Sequence, residues 1–265
     1  MGTELKLITK EELIEKFHEI ESLGWVENFR GKNDGAVGNT LEDLLGIPEN
    51  NLPIPNAAEW ELKAQRSTTT SLLTLFHTEP SPRAAKLVPD LLLPKYGWPH
   101  KEAGKKYPTT EMSFRQTLNG STFTDRGFKV NVNRKEQRVE IVFDSKKCQP
   151  IHSDWLNNIA NKAGLGNLAV TPYWGFNDLY MKAGTKLLNC FYVQADVKKS
   201  KGKEYFHYNK VLMLKNLNIE KFIDTIEQGK IYIDFDARTG HNHGTKFRMR
   251  FSDIPLVYES VTRIL

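Results

Sequence analysis

Apolar residues recur along the chain at two spacings, and each spacing predicts an element. Leu13, Phe17 and Ile20, with Leu23 beyond them, trace a helical stripe. Thr9 and Glu12 form a capping box ahead of it, and Gly24 ends it. Asn39 or Thr40 caps a second, short helix over 41–45, stopped by Gly46 and Pro48. Trp60 and Leu62 then alternate with Glu59, Glu61 and Lys63, which predicts a strand with three charges on one face. Residues 71–77 read as a second strand, expected beside the first. Residues 83–125, rich in proline, glycine and aromatics, predict short elements and long loops.

Regular patterns resume at 127–144, a hairpin with Phe128, Val130 and Val132 on one arm and Val139, Ile141 and Phe143 on the other. Residues 153–163 and 176–186 read as helices. Strands at 188–197 and 205–214 flank a lysine-rich turn. Asn218 caps a helix that runs to Glu227, and Ile231, Ile233 and Phe235 mark another strand. A last, basic strand places Lys246, Arg248 and Arg250 on one face. Strands and helices alternate without an internal repeat, so the fold class is mixed α/β.

With 265 residues the chain forms one large domain or two lobes around a continuous core. Its 39% hydrophobic and 26% charged content is globular. No stretch approaches the apolar length of a membrane span, and the first residues lack a secretory pattern. Two cysteines, Cys148 and Cys190, make neither a disulfide framework nor a zinc cluster, so a reducing cytoplasm is expected. The net charge of +5 is uneven. Residues 1–61 hold 5 Lys/Arg and 13 Asp/Glu, whereas 62–265 hold 32 and 19. A basic body with an acidic segment suits a polyanionic partner and a metal at the reacting point.

The chemistry gathers at Glu61 and Lys63. An acid and a lysine on one strand face hold a divalent metal beside a positive charge, which phosphodiester hydrolysis requires. Alone, Glu-x-Lys is more often a solvated strand edge or a cross-strand ion pair. The glycine-rich loop from Arg30 to Gly38 offers Arg30 and Lys32 to a phosphate backbone but lacks a nucleotide-binding ending. Glu42 and Asp43 either stabilise their helix dipole or supply a third carboxylate. Neither a cysteine pair nor a third local histidine accompanies His241 and His243, so zinc is excluded there. With the basic strand that follows, they suit base-edge reading instead.

Three segments appear in order: Gly38-Asn39-Thr40-Leu41-Glu42-Asp43-Leu44-Leu45, Leu52-Pro53-Ile54-Pro55, and Glu61-Leu62-Lys63. The strand at 71–76 follows, and His241-x-His243-Gly244-Thr245-x-Phe247-Arg248 closes the series. Together they resemble the MvaI/BcnI family of type II restriction endonucleases, within the PD-(D/E)XK nucleases and close in fold to the nicking enzyme MutH. The final motif is specific; Glu-x-Lys is not. The resemblance implies a restriction-endonuclease-like mixed sheet with two lobes around a DNA cleft. Residues 1–215 would form the catalytic lobe, with inserted loops around 83–125, and 216–265 the recognition segment. It further implies a magnesium-dependent monomer that cuts a short, GC-rich, nearly palindromic site in double-stranded DNA. A companion methyltransferase and a bacterial or archaeal cytoplasm go with that role. Glu61 would bind metal, Lys63 would stabilise charge and Glu42 would be an auxiliary acid. His241, His243 and Arg248 would read bases. His77, Lys246, Arg250, Arg30 and Lys32 complete the expected DNA contacts.

One position departs from the family pattern. The first acid, five residues before the Glu of Glu-x-Lys and directly after proline, is here Asn56. An amide offers magnesium an oxygen without a charge. Asn56 is therefore an engineered inactivation, a natural change with Glu59 or Glu42 supplying the lost charge, or the mark of a DNA-binding protein that cuts poorly. The second reading is favoured, which adds Glu59 and Asn56 to Glu61 as metal ligands. A MutH-like repair nicking enzyme shares the same chemistry.

Overall fold

The computed structural model describes residues 8–31, 33, 35–47 and 59–265. The elements begin with α1 (Lys10–Ser22), β1 (Val26–Glu27), α2 (Ala36–Leu45), β2 (Trp60–Arg66), β3 (Leu73–His77), α3 (Leu93–Tyr96) and β4 (Trp98–Pro99). Next come β5 (Met112–Leu118), β6 (Arg126–Asn133), β7 (Arg138–Cys148), α4 (Ser153–Lys162), β8 (Tyr173–Gly175) and α5 (Phe176–Leu187). The chain closes with β9 (Asn189–Ser200), β10 (Lys203–Leu217), α6 (Ile219–Glu227), β11 (Ile231–Arg238), β12 (His241–Asn242), β13 (Lys246–Met249) and β14 (Tyr258–Arg263). They form two compact units. One comprises Met1–Ser71, Ala183–Asn218 and Val257–Leu265, the other Leu72–Lys182 and Ile219–Leu256. Both are discontinuous, so the division falls at several points rather than once near residue 215. Among the described residues no helix is long and apolar enough to cross a membrane.

The first unit is built on a mixed sheet in the order β1-β10-β9-β2, with β14 also on β10. β2 runs parallel to β9; the other pairs are antiparallel. Trp60 and Leu62 share one face with Phe191 and Val193, and α1 and α2 supply Leu13, Phe17, Ile20, Val37, Leu41 and Leu45 to the same cluster. The Thr9–Glu12 capping box forms as the sequence predicts. Leu23 does not extend the stripe: it sits at the helix end, 62% exposed. α2 starts at Ala36, earlier than Asn39 or Thr40. Ala36 and Val37 are buried, so packing rather than a side-chain cap sets its first turn.

β3 is not the neighbour of β2. It pairs with β13 in the second unit, while β2 takes β9 as its partner. Alternation identifies a strand and its inward face but carries no record of which distant strand pairs with it. The β9–β10 hairpin turns at Lys201 and Gly202, both with positive φ (50° and 77°), as a tight two-residue connection requires.

The second unit contains a sheet in the order β3-β13-β11-β5-β4, with β12 on β11, and a three-stranded sheet β6-β7-β8. Its core includes Phe76, Phe114, Phe222, Phe235 and Phe247. β5 is a regular seven-residue strand inside the stretch expected to be irregular. Only Phe114 and Leu118 mark its inner face strongly, with polar Gln116 between them, and flanking prolines and glycines hide the pattern. Arg250 lies just past β13 rather than on it.

Phe191 is fully buried, with ring centroids 5.1 Å from Phe17 and 4.7 Å from Trp60. Replacing it with alanine is expected to cost about 3–5 kcal/mol of stability, read from the denaturant midpoint.

Candidate active site and nucleic-acid interface

The parallel register sets Glu61 beside Cys190 and Lys63 beside Tyr192, on the face of β2 away from Trp60 and Leu62. Glu61 is only 2% exposed and Lys63 17%. Lys63 Nζ donates to Glu61 Oε1 at 2.5 Å. Leaving a carboxylate this deep without a cation against it would be costly. Lys186, from the last turn of α5, stands 3.9 Å from the same oxygen. Glu61 Oε2 is buried with no hydrogen-bond partner among the described residues.

The neighbouring side chains are uncharged. Burial pushes the Cys190 thiol up to about 12 and the phenols of Tyr192 and Tyr258 well above their usual range. Tyr258 Oη donates to the Leu187 carbonyl at 2.9 Å and lies 3.1 Å from Cys190 Sγ. A neutral, water-poor floor strengthens the field between Glu61 and the two ammonium groups.

The other carboxylates expected here are placed differently from one another. Glu59 is exposed just ahead of β2, lining a surface hollow with Lys10, Asn189, Lys215 and Asn216. Glu42 is half-buried on α2, the helix that packs over the apolar face. Arg30 is held by Asp43, donating to both carboxylate oxygens at 2.7 and 2.5 Å, and these bonds keep the Asp43 carboxyl below its usual range. Asn56 and Lys32 lie outside the described residues.

No group of three or more His, Cys, Asp and Glu side chains gathers as a ready metal cluster among the described residues. The fit for a metal rests on Glu61. A buried carboxylate oxygen with no partner is the kind of ligand a hard cation takes, with water and phosphate oxygens able to fill other positions.

In the second unit, one face of the large sheet is polar. Arg248 donates to Asp234 Oδ2 (3.1 Å) and to the Leu72 carbonyl (2.6 Å), and Thr117 Oγ1 donates to Asp234 Oδ1 (2.9 Å). Asp236 pairs with Arg115 at 2.6 Å and Lys246 at 3.3 Å. Burial pushes its carboxyl up, but these cations outweigh that and hold it below the usual range. His77 is exposed and registers opposite Lys246. His241 and His243 are exposed, with Nε2 and Nδ1 3.2 Å apart.

Glu79 fixes the loop that carries those histidines. It accepts from the Thr245 amide (2.9 Å), the Thr245 hydroxyl (3.2 Å) and Asn242 Nδ2 (3.4 Å). Thr245 is 1% exposed, and Gly244 turns at φ +82° beside the same carboxylate. Sequence reasoning missed Glu79, Arg115 and Lys186, each of which acts through a partner far along the chain. Asp234 lies on the polar side of β11, and its partners Thr117 and Arg248 come from other strands. Replacing Glu79 with alanine leaves the buried Thr245 groups unmatched, and a loss of about 1–3 kcal/mol is expected in urea unfolding.

No curated protein matches the sequence. Among solved structures, the chain is similar over its full length to "Restriction endonuclease MvaI-cognate DNA substrate complex", with 24% identity, full coverage of both chains and a TM-score of 0.75. It is also similar to "Restriction endonuclease MvaI in the absence of DNA", at 24% identity, full coverage of both chains and a TM-score of 0.56. These likenesses establish the fold. The model of the MvaI/BcnI restriction endonuclease family matches residues 14–258, across both units. The chain therefore belongs to the MvaI/BcnI restriction endonuclease family and is a type II site-specific deoxyribonuclease.

Proposed function

We propose that Glu61 and Lys63 are the hydrolytic centre of a magnesium-dependent PD-(D/E)XK enzyme. Its substrate is double-stranded DNA with a short, GC-rich, nearly palindromic site. The observation that carries this reading is the buried Glu61 carboxylate, one oxygen bonded to Lys63 and the other without a partner among the described residues. The relative solved with its cognate DNA substrate supports the choice of substrate.

In this reading Glu61 Oε2 is the principal metal ligand; Asn56 and Glu59 are proposed as further ligands and Glu42 as an auxiliary acid. When bound, the metal supplies Lewis-acid polarisation of the phosphate and a more acidic water. Lys63 holds Glu61 Oε1 before DNA arrives. It then offsets the negative charge that builds on the phosphoryl oxygens, an effect that is larger here than in water because the floor is apolar. The first unit would cut and the second would read. Arg248, Lys246 and Arg115 arrive already aimed by Asp234 and Asp236. His241 and His243 present donors and acceptors to base edges. His77 and Arg250 would add contacts at the edge of that face, and Arg30 and Lys32 would contact the backbone. The enzyme acts as a monomer in a bacterial or archaeal cytoplasm, alongside a methyltransferase that protects the same site.

Asn56 favours a second reading, site-specific DNA binding with little cleavage, because it removes a charge from the ligand set. A plasmid digest with magnesium separates the two. Discrete fragments are expected from the natural sequence, with Lys63→Ala reducing the rate about 100-fold or more. Cutting by Asn56→Asp alone would identify a disabled form. DNA left intact by both proteins, yet bound site-specifically, would establish the second reading.

A further inference from the structure

We infer that Lys186 is a DNA-phosphate ligand at the cleavage site, held near Glu61 until DNA takes it. This rests on the DNA-cleaving reading of the Glu61 site and goes beyond it, since Glu-x-Lys contains only one lysine. Two ammonium groups approach one carboxylate oxygen. Lys63 is within hydrogen-bonding distance, while Lys186 at 3.9 Å is beyond it. The three groups sum to one positive charge in excess, beside a neutral floor that cannot compensate it. Among the described residues Glu61 is the one carboxylate paired with either lysine, and an anion would complete the set.

The two lysines are held differently. Lys63 lies on β2 and is 17% exposed; Lys186 is 31% exposed, on a long flexible stem. The backbone beneath Lys186 is fixed. Ala183 and Leu187 are buried, and the Leu187 carbonyl accepts from Tyr258 Oη. The side chain therefore swings from a fixed base. A divalent cation at Glu61 Oε2 would add like charge and favour its departure towards a phosphate oxygen. The helix C-terminus behind it stabilises a cation in either position.

The test measures DNA binding without metal, so it does not depend on turnover. A duplex bearing the site mapped from the natural protein's digest is titrated in EDTA, by fluorescence anisotropy, over a range of salt concentrations. Lys186→Ala and Lys186→Gln are expected to lower the slope of log K against log salt by about 0.9, one phosphate contact. Lys186→Arg, which keeps the charge, is expected to restore it. With magnesium, cutting by the alanine variant is expected to fall about 10-fold or more. An unchanged slope in both neutral variants overturns the inference, even if cutting falls, because that pattern belongs to a lysine that only supports Glu61. If the natural protein neither binds nor cuts DNA, the underlying reading fails instead.

Discussion

The site depends on one electrostatic constraint: a glutamate buried to 2% exposure must be matched by a cation, and a lysine two residues away reaches it. Breaking a buried pair by removing one partner typically costs about 3–5 kcal/mol, since a lone charge remains in a poor dielectric. The parallel pairing with β9 brings Cys190 and Tyr192 alongside, and both are neutral at physiological pH. On the other face, Trp60 and Leu62 sink into the cluster closed by α1 and α2. That packing fixes the strand, and the strand fixes the pair. The second oxygen of Glu61, without a partner among the described residues, is the part of this arrangement left open for chemistry.

The second unit meets a different constraint. Its large sheet packs Phe76, Phe235 and Phe247 inward and leaves cations and acids side by side on the other face. Each cation named there is braced by an aspartate rather than left to wander, so less side-chain entropy remains to be lost when it meets a ligand. Glu79 does for the histidine loop what Asp234 and Asp236 do for the strand. The shared device is a fixed acid that aims a donor.

Much of this was legible in the sequence. Helical spacing located α1, α5 and α6, and alternation located β2, the β6–β7 hairpin and β11, because each buries a face with a simple period. Glu61 and Lys63 were legible for the same reason, two charges on one side of an apolar alternation. Pairing was not legible. β3 read as a neighbour of β2 and instead joins β13, and β5 was lost among prolines and glycines. Lys186 was invisible as a site residue because it lies 123 positions after Lys63, on a helix whose sequence announces only packing. Local period reports local conformation, whereas a site assembled from distant segments is specified by tertiary packing.

The most direct test of the central claim is a crystal of the protein with site-bearing DNA and manganese, read by anomalous scattering. The account predicts an ion bound to Glu61 Oε2, with Lys63 Nζ directed at the scissile phosphate. An ion bound elsewhere, with Glu61 still closed on Lys63 and away from the phosphate, would contradict it.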